Sequence, residues 1–206
     1  MSYVYHGSYT EIKNPELKRG RIDVDFGTGF YLTEDKNMAL KWASRKDTAV
    51  LNSYKLNYDG LNVIKLGLTE NWLRFVASCR GESNEKFDLS GVDVIIGPTA
   101  DDKMFSTLTN YFEGRITAEQ AIKYLNVAGF SNQIVLKTEK AISQLEFVRS
   151  NTLSKNEKDF IYRVATSERK AASKILADMI EADKQNLTKN NSVLIGDYEN
   201  EDKSER

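Results

Sequence analysis

The chain has 206 residues, with 29 Lys and Arg against 30 Asp and Glu, a net charge of −1, and 40% hydrophobic residues. Such a length suits one domain with an appendage, or two small domains, and the apolar share is enough for a real core. The balanced charge offers no basic footprint for a nucleic-acid backbone. One cysteine, Cys79, excludes an internal disulfide framework, and one histidine, His6, leaves too few ligands for a structural zinc site. No apolar run approaches membrane-spanning length and no basic-then-apolar leader opens the chain, so the expectation is a cytoplasmic protein that does not engage a membrane.

Residues 3–5 read as a short strand that delivers His6 and Gly7. Taken alone, His6 is an ordinary structural histidine ending an edge strand. Residues 10–20 are polar, hold Pro15, and read as a loop or a short helical turn. In the stretch 25–33, Gly27 and Gly29 flank Thr28, permitting unusual backbone angles or close approach, and Phe30-Tyr31-Leu32 has the bulk of a strand. Thr33 or Asp35 can cap a helix running to about Arg45, with Met38 and Trp42 and either Ala39 or Ala43 on its apolar side.

Residues 49–58 alternate imperfectly as a strand. Asp59-Gly60 supplies a hairpin turn, and residues 61–66 form the return strand. Thr69 caps a helix carrying Trp72, Phe75, Val76 and Cys79 that stops at Gly81. Cys79 is a core residue on this reading, because no second histidine exists to activate it. Residues 92–96 form a strand ended by Gly97-Pro98, and Asp101 and Asp102 precede a helix over 103–112. Thr117 to Gln120 fits a capping box before a helix with Ala121, Ile122 and Leu125. Strands follow at 133–138 and 145–148.

From Ser154 onward, Phe160, Ile161, Val164, Ala171, Ala172, Ile175, Met179 and Ile180 fall at helical spacing. The stripe weakens at Ser167 and Glu168, so one helix or two would satisfy it, and the acidic end over 197–206 is expected to fray. The organisation expected is therefore an α+β domain over 1–150 with a helical extension over 151–206. No Walker A loop, Rossmann fingerprint, nucleophile elbow or histidine pair is present, which removes the familiar kinase, dinucleotide-fold and hydrolase readings.

Tyr5-His6-Gly7-Ser8 followed by Gly27-Thr28-Gly29-Phe30-Tyr31-Leu32-Thr33 resembles the first two signatures of ADP-ribosyltransferases, in the branch shared by diphtheria-type toxins and poly(ADP-ribose) polymerases. Trp42 stands where that branch carries a second aromatic. Asn132-Gln133-Ile134-Val135-Leu136 resembles the third signature, with an amide where the branch usually has glutamate. Over about the first 150 residues the chain is also similar to a bacterial ADP-ribosyltransferase-like family, which shares the runs 92–102 and 133–140.

The resemblance implies a split β-sheet core with peripheral helices and a C-terminal helical extension. It also implies NAD as a substrate and transfer of ADP-ribose to a protein or nucleic-acid acceptor, as the toxin of a toxin–antitoxin pair with a small antitoxin partner. By the same resemblance, His6 hydrogen-bonds the adenosine ribose, with Ser8 assisting. Gly7 grips the nicotinamide carboxamide through its backbone, Tyr31 and Trp42 flank the nicotinamide ring, and Gln133 takes the glutamate's place at the reacting ribose. Glutamine keeps a hydrogen bond but supplies no charge. Three outcomes then stay open: transfer to a strongly nucleophilic acceptor, an acid borrowed from Asp101, Asp102 or Glu119, or a silent NAD- or nucleotide-binding module acting through its C-terminal helix.

Overall fold

A computed structural model describes residues 1–17, 24–100, 107–127, 129 and 131–201, with side chains through 185. The strands are β1 (Ser2–Ser8), β2 (Phe30–Leu32), β3 (Val50–Leu56), β4 (Val63–Lys65), β5 (Val94–Pro98), β6 (Asn132–Leu136) and β7 (Leu145–Thr152). The helices are α1 (Lys36–Ser44), α2 (Glu70–Cys79), α3 (Thr107–Phe112), α4 (Ala118–Leu125), α5 (Glu139–Ser143) and α6 (Lys155–Glu201). The fold is α+β, with one sheet ordered β1-β3-β7 and a second ordered β2-β6-β5-β4.

Side-chain alternation along the strands sorts the core into two layers. Val4, Phe30, Leu32, Tyr54, Leu56, Ile134 and Leu136 fill the space between the two sheets. The other face of the second sheet, with Ile95 and Val135, packs on Trp72, Phe75 and Val76 of α2. Asp35 caps α1, its Oδ1 accepting from the amides of Asn37 and Met38, and Thr69 caps α2. The expected capping box is present, with Thr117 and Gln120 each bonding the other's backbone.

The sequence reading needs correction at several places. The hairpin after Asp59-Gly60 does not form: β4 joins the second sheet and pairs parallel with β5. Asp93 accounts for the difference, since its carboxylate accepts from the Asn62 amide at 2.9 Å and its own amide donates to Asn62 O at 2.9 Å. These bonds carry the segment away from β3. Gly97 and Pro98 lie inside β5 rather than ending it, because Pro98 falls beyond the last β4 pair, where no ladder donor is required.

The apolar face of α1 is Ala39 and Ala43, with Met38 and Trp42 only half-buried. A short helix, α5, capped by Thr138, was not expected. The first part of the helix expected over 103–112 lies outside the described residues, as do Asp101 and Asp102 and the last residues of the acidic end. The C-terminal stripe belongs to one helix, α6. No helix among the described residues is long and apolar enough to cross a membrane.

Candidate functional site

The two sheets meet along β1 and β2. Tyr5 and Thr33 form a bridge there, Tyr5 N donating to Thr33 O at 2.8 Å and Thr33 N to Tyr5 O at 3.0 Å. Continued by one antiparallel step, this pairing would set Gly7 opposite Tyr31 and exchange two more hydrogen bonds. The step is not taken. His6 Nδ1 instead bonds Tyr31 O at 2.7 Å, and the strands diverge. The amide and carbonyl of Gly7 point along the β1 edge that faces away from β3, into the resulting gap, because the Tyr5–Thr33 bonds fix which residues of β1 face that edge.

Glycine is required at position 7 for a separate reason. A Cβ there would come within 2.0 Å of Ala39 O and 2.6 Å of Ala43 N, so α1 lies directly on the strand. Gly29 is likewise a close approach, since a Cβ would sit 2.7 Å from Leu136 O in β6. With Ala39 and Ala43 over Gly7, Lys36 and Leu40 fall on the flank of α1 nearest β3, where they line a cleft with Leu51 and Ser53. Helical spacing puts Met38 and Trp42 on the opposite flank, toward β2 and the gap. Trp42 is half-buried and has no stacking partner among the described residues.

A carbonyl can only accept, so the His6 proton sits on Nδ1 and Nε2 is left as an acceptor. Burial holds the imidazole below its ordinary pKa of 6.5; the bond to Tyr31 opposes that shift, and the Lys46 charge adds to it. The ring stacks on Phe30 at 4.7 Å, on the inter-sheet side. His6 therefore braces the seam from one side, while Gly7, Tyr31 and Gln133 occupy the continuous opposite face that runs through the Tyr5–Thr33 bridge. Tyr31 is held through its phenol, which donates to Gly27 O at 2.7 Å and accepts from Phe26 N at 3.0 Å. Burial pushes the phenol's pKa up, so it remains a donor.

Ser8 is buried and committed to its own loop. Its hydroxyl bonds Thr10 O and accepts from Thr10 N and Asn52 Nδ2. Asn52, absent from the sequence reading, also accepts from Ile12 N at 2.9 Å and organises the turn after β1.

Gln133 lies on the same face of its sheet as Tyr31, whose cross-strand partner is Val135, and it is only 3% exposed. Its Nε2 donates to Asp25 Oδ2 at 2.8 Å. Ala100 N donates to the same oxygen at 2.8 Å, and Arg80 donates to Oδ1 from Nε at 3.1 Å and from Nη2 at 2.6 Å. Asp25 thus takes two donors on each oxygen, and its charge is matched by Arg80. Because an ionised carboxylate only accepts, the Gln133 amide must turn its nitrogen toward Asp25. Its Oε1 then faces away and has no partner among the described residues.

Asp25 and Arg80 are the residues that sequence reasoning missed. Asp25 opens the glycine-rich signature, which was the available signal; Arg80 carried none. Glu119 is exposed in the first turn of α4. Cys79 packs half-buried against the α2 core with its thiol pKa pushed up by burial, as a core residue would. Among the described residues no group of His, Cys, Asp and Glu is placed to hold a metal ion.

A family model described as "Protein of unknown function (DUF3990)" matches residues 2–147. The chain belongs to this family. No curated protein and no solved structure matches it. The DUF3990 match takes in every residue of the β1–β2 seam and the Asp25–Arg80–Gln133 cluster. It ends inside β7, five residues short of that strand's end at Thr152.

Proposed function

We propose that this chain is an NAD-dependent mono-ADP-ribosyltransferase with an ADP-ribosyltransferase-like split sheet. The observation that carries the reading is the interrupted pairing between Gly7 and Tyr31. A peptide group with one outward N–H and one outward C=O complements a carboxamide, which presents one carbonyl acceptor and an NH₂ donor. Nicotinamide carries that group, and Tyr31 and Trp42 supply flat faces suited to its cationic ring. A neutral His6 with an unpaired Nε2 suits a ribose hydroxyl. Ser8 contributes by shaping the loop beside it.

In the reaction, the bond between the ribose anomeric carbon and the nicotinamide nitrogen breaks. Nicotinamide leaves as a neutral molecule with the electron pair. The acceptor's nucleophile bonds the anomeric carbon and loses its proton to solvent. Gln133 Oε1 serves as hydrogen-bond acceptor for the reacting ribose, and fixed dipoles around it favour the oxocarbenium-like state. A neutral amide does little to activate a ribose hydroxyl as the next acceptor, so a single transfer to a protein or nucleic acid fits better than polymer growth. Cytoplasmic action as a toxin restrained by a small antitoxin completes the reading.

Incubation of the protein and a cell lysate with NAD labelled in the adenylate tests it. Label should appear on a macromolecule with release of nicotinamide, and folded His6→Ala and Tyr31→Ala variants should lose most of the transfer. Bound NAD without labelled product or released nicotinamide, across protein and nucleic-acid acceptors, would favour a second reading. That alternative is a catalytically silent nucleotide-binding module working through α6. The matched charge of Asp25 and Arg80 beside a neutral Gln133 favours it, as do Phe160, Tyr162, Val164 and Ile175, which α6 leaves exposed.

A further inference from the structure

On the outer face of the first sheet, away from the inter-sheet core, lies a cleft of about 350 Å³ bounded by α1, β3, β7 and the start of α6. Register explains its floor. Ser53 pairs with Arg149 and Leu51 with Asn151, so each pair shares one face of the sheet. Lys36 comes from the first turn of α1, and Phe160 from the first turns of α6.

Two features set the cleft apart from ordinary surface. Ser53 is only 4% exposed, and its hydroxyl, which has no hydrogen-bond partner among the described residues, keeps its small share of exposure at the cleft and is not sealed in the core. Lys36 and Arg149 line the same cleft without an ion-pair partner among the described residues. The carboxylate on the wall, Glu157, is taken up by the helix cap: its Oε2 accepts from Ser154 N at 2.8 Å and Ser154 Oγ at 2.6 Å. The cleft therefore presents two cations against one carboxylate whose Oε2 is engaged by the helix cap, with the Ser53 hydroxyl on its floor and an apolar wall formed by Leu40, Leu51 and Phe160, the last 61% exposed. Its volume falls within the range of small-molecule sites, which combine apolar walls with a few convergent polar groups.

We propose that this cleft is a second ligand site, which takes a small molecule carrying a phosphate on a flat apolar body. The phosphate would lie between Arg149 and Lys36 with the Ser53 hydroxyl donating to it, and the flat part against Phe160. Arginine suits such an oxyanion through its paired N–H groups, and lysine through its point charge. The site is independent of the β1–β2 seam: α1 lies between them, with Leu40 toward one and Trp42 toward the other.

Phenyl phosphate is the probe, titrated into the full chain by calorimetry and followed by amide chemical shifts. It should bind more tightly than inorganic phosphate or benzyl alcohol, with shifts centred on Leu51, Ser53, Arg149 and Asn151. Arg149→Met and Lys36→Met, both at exposed positions and so compatible with folding, should each weaken binding by roughly tenfold, about the worth of one charge-assisted hydrogen bond. Several results would overturn the proposal. These are no binding at millimolar phenyl phosphate, equal affinity in both variants, inorganic phosphate or benzyl alcohol binding as well as phenyl phosphate, or shifts centred on Gly7 and Tyr31.

Discussion

Gln133 is where the chemistry of a single side chain decides most. An ionised glutamate in its place would meet Asp25 Oδ2, now 2.8 Å from the glutamine nitrogen, with no proton to offer. Two carboxylates at that separation cannot both stay charged, so one would be pushed to hold its proton. The simple substitution that should restore an acid is therefore blocked by a residue far away in sequence. Gln133→Glu is expected to lower stability by about 1–3 kcal/mol, the cost of a lost hydrogen bond to a charged group. Asp25→Asn combined with Gln133→Glu keeps the charge count and lets the new amide donate to the new carboxylate while its oxygen still accepts from Arg80, at the cost of the acceptor that Ala100 N now has in Oδ2. This pair should recover part of the loss. Urea denaturation of the parent and the two variants checks it, and a single Gln133→Glu protein as stable as the parent would show that the Asp25 contact does not hold the amide. On the proposed reaction, only the double variant delivers an ionised acid to the ribose, so its transfer rate should exceed the parent's.

Among the secondary-structure elements, the packing of α1 on β1 is the joint that sets the site. With Ala39 O lying 2.0 Å from where a Cβ would sit on Gly7, Gly7→Ala has to push helix and strand apart. The expected cost is about 1–3 kcal/mol, as for other overpacked cores. Trp42 would move with the helix, so, on the proposed function, NAD binding should weaken more than stability alone accounts for. Thermal denaturation and NAD titration of the same preparation test this, and unchanged values in both would mean that the helix does not sit on the strand.

Elements of this kind were partly legible in the sequence. Helices α1, α2 and α4 announce themselves through Asp35, Thr69 and the Thr117–Gln120 box, because a cap is a local feature. The destination of β4 was not legible, since Asp59-Gly60 looks like a hairpin turn and only the distant Asp93 redirects the strand. For the same reason the resemblance could single out Gly7 and Tyr31 as candidates, but the interrupted pairing between them could not be read. That interruption depends on His6 reaching a carbonyl 25 positions away. The Asp25–Gln133 bond, spanning 108 positions, left no trace that periodicity or spacing could reveal.

For the whole molecule, the question is whether residues after β7 are an appendage or part of the structure. The DUF3990 match ends at residue 147, and composition suggests a boundary near 150, yet α6 returns across the domain. Ala165, Ala172 and Leu176 are buried on it. Lys41 of α1 bonds Glu168 at 2.6 Å, and Tyr124 of α4 donates to Asp183 at 2.8 Å. One helix thus spans from the element that covers Gly7 to the element that packs on α2. The exposed ion pairs contribute little by themselves. Burying a leucine and two alanines contributes more, in all about 3 kcal/mol on the usual scale for apolar surface. For a chain of this size a loss of that order lowers the melting temperature by about 6–12 °C. A chain ending after Leu153, which keeps all of β7, should therefore melt that much lower than the full protein while retaining one cooperative transition. The full protein should also melt in a single step, since α6 has no core of its own. Calorimetry on both chains decides it. An unchanged main transition in the shortened chain, or a separate low-temperature transition in the full one, would make α6 an independent arm and leave α1 to be held in place by β1 and β3.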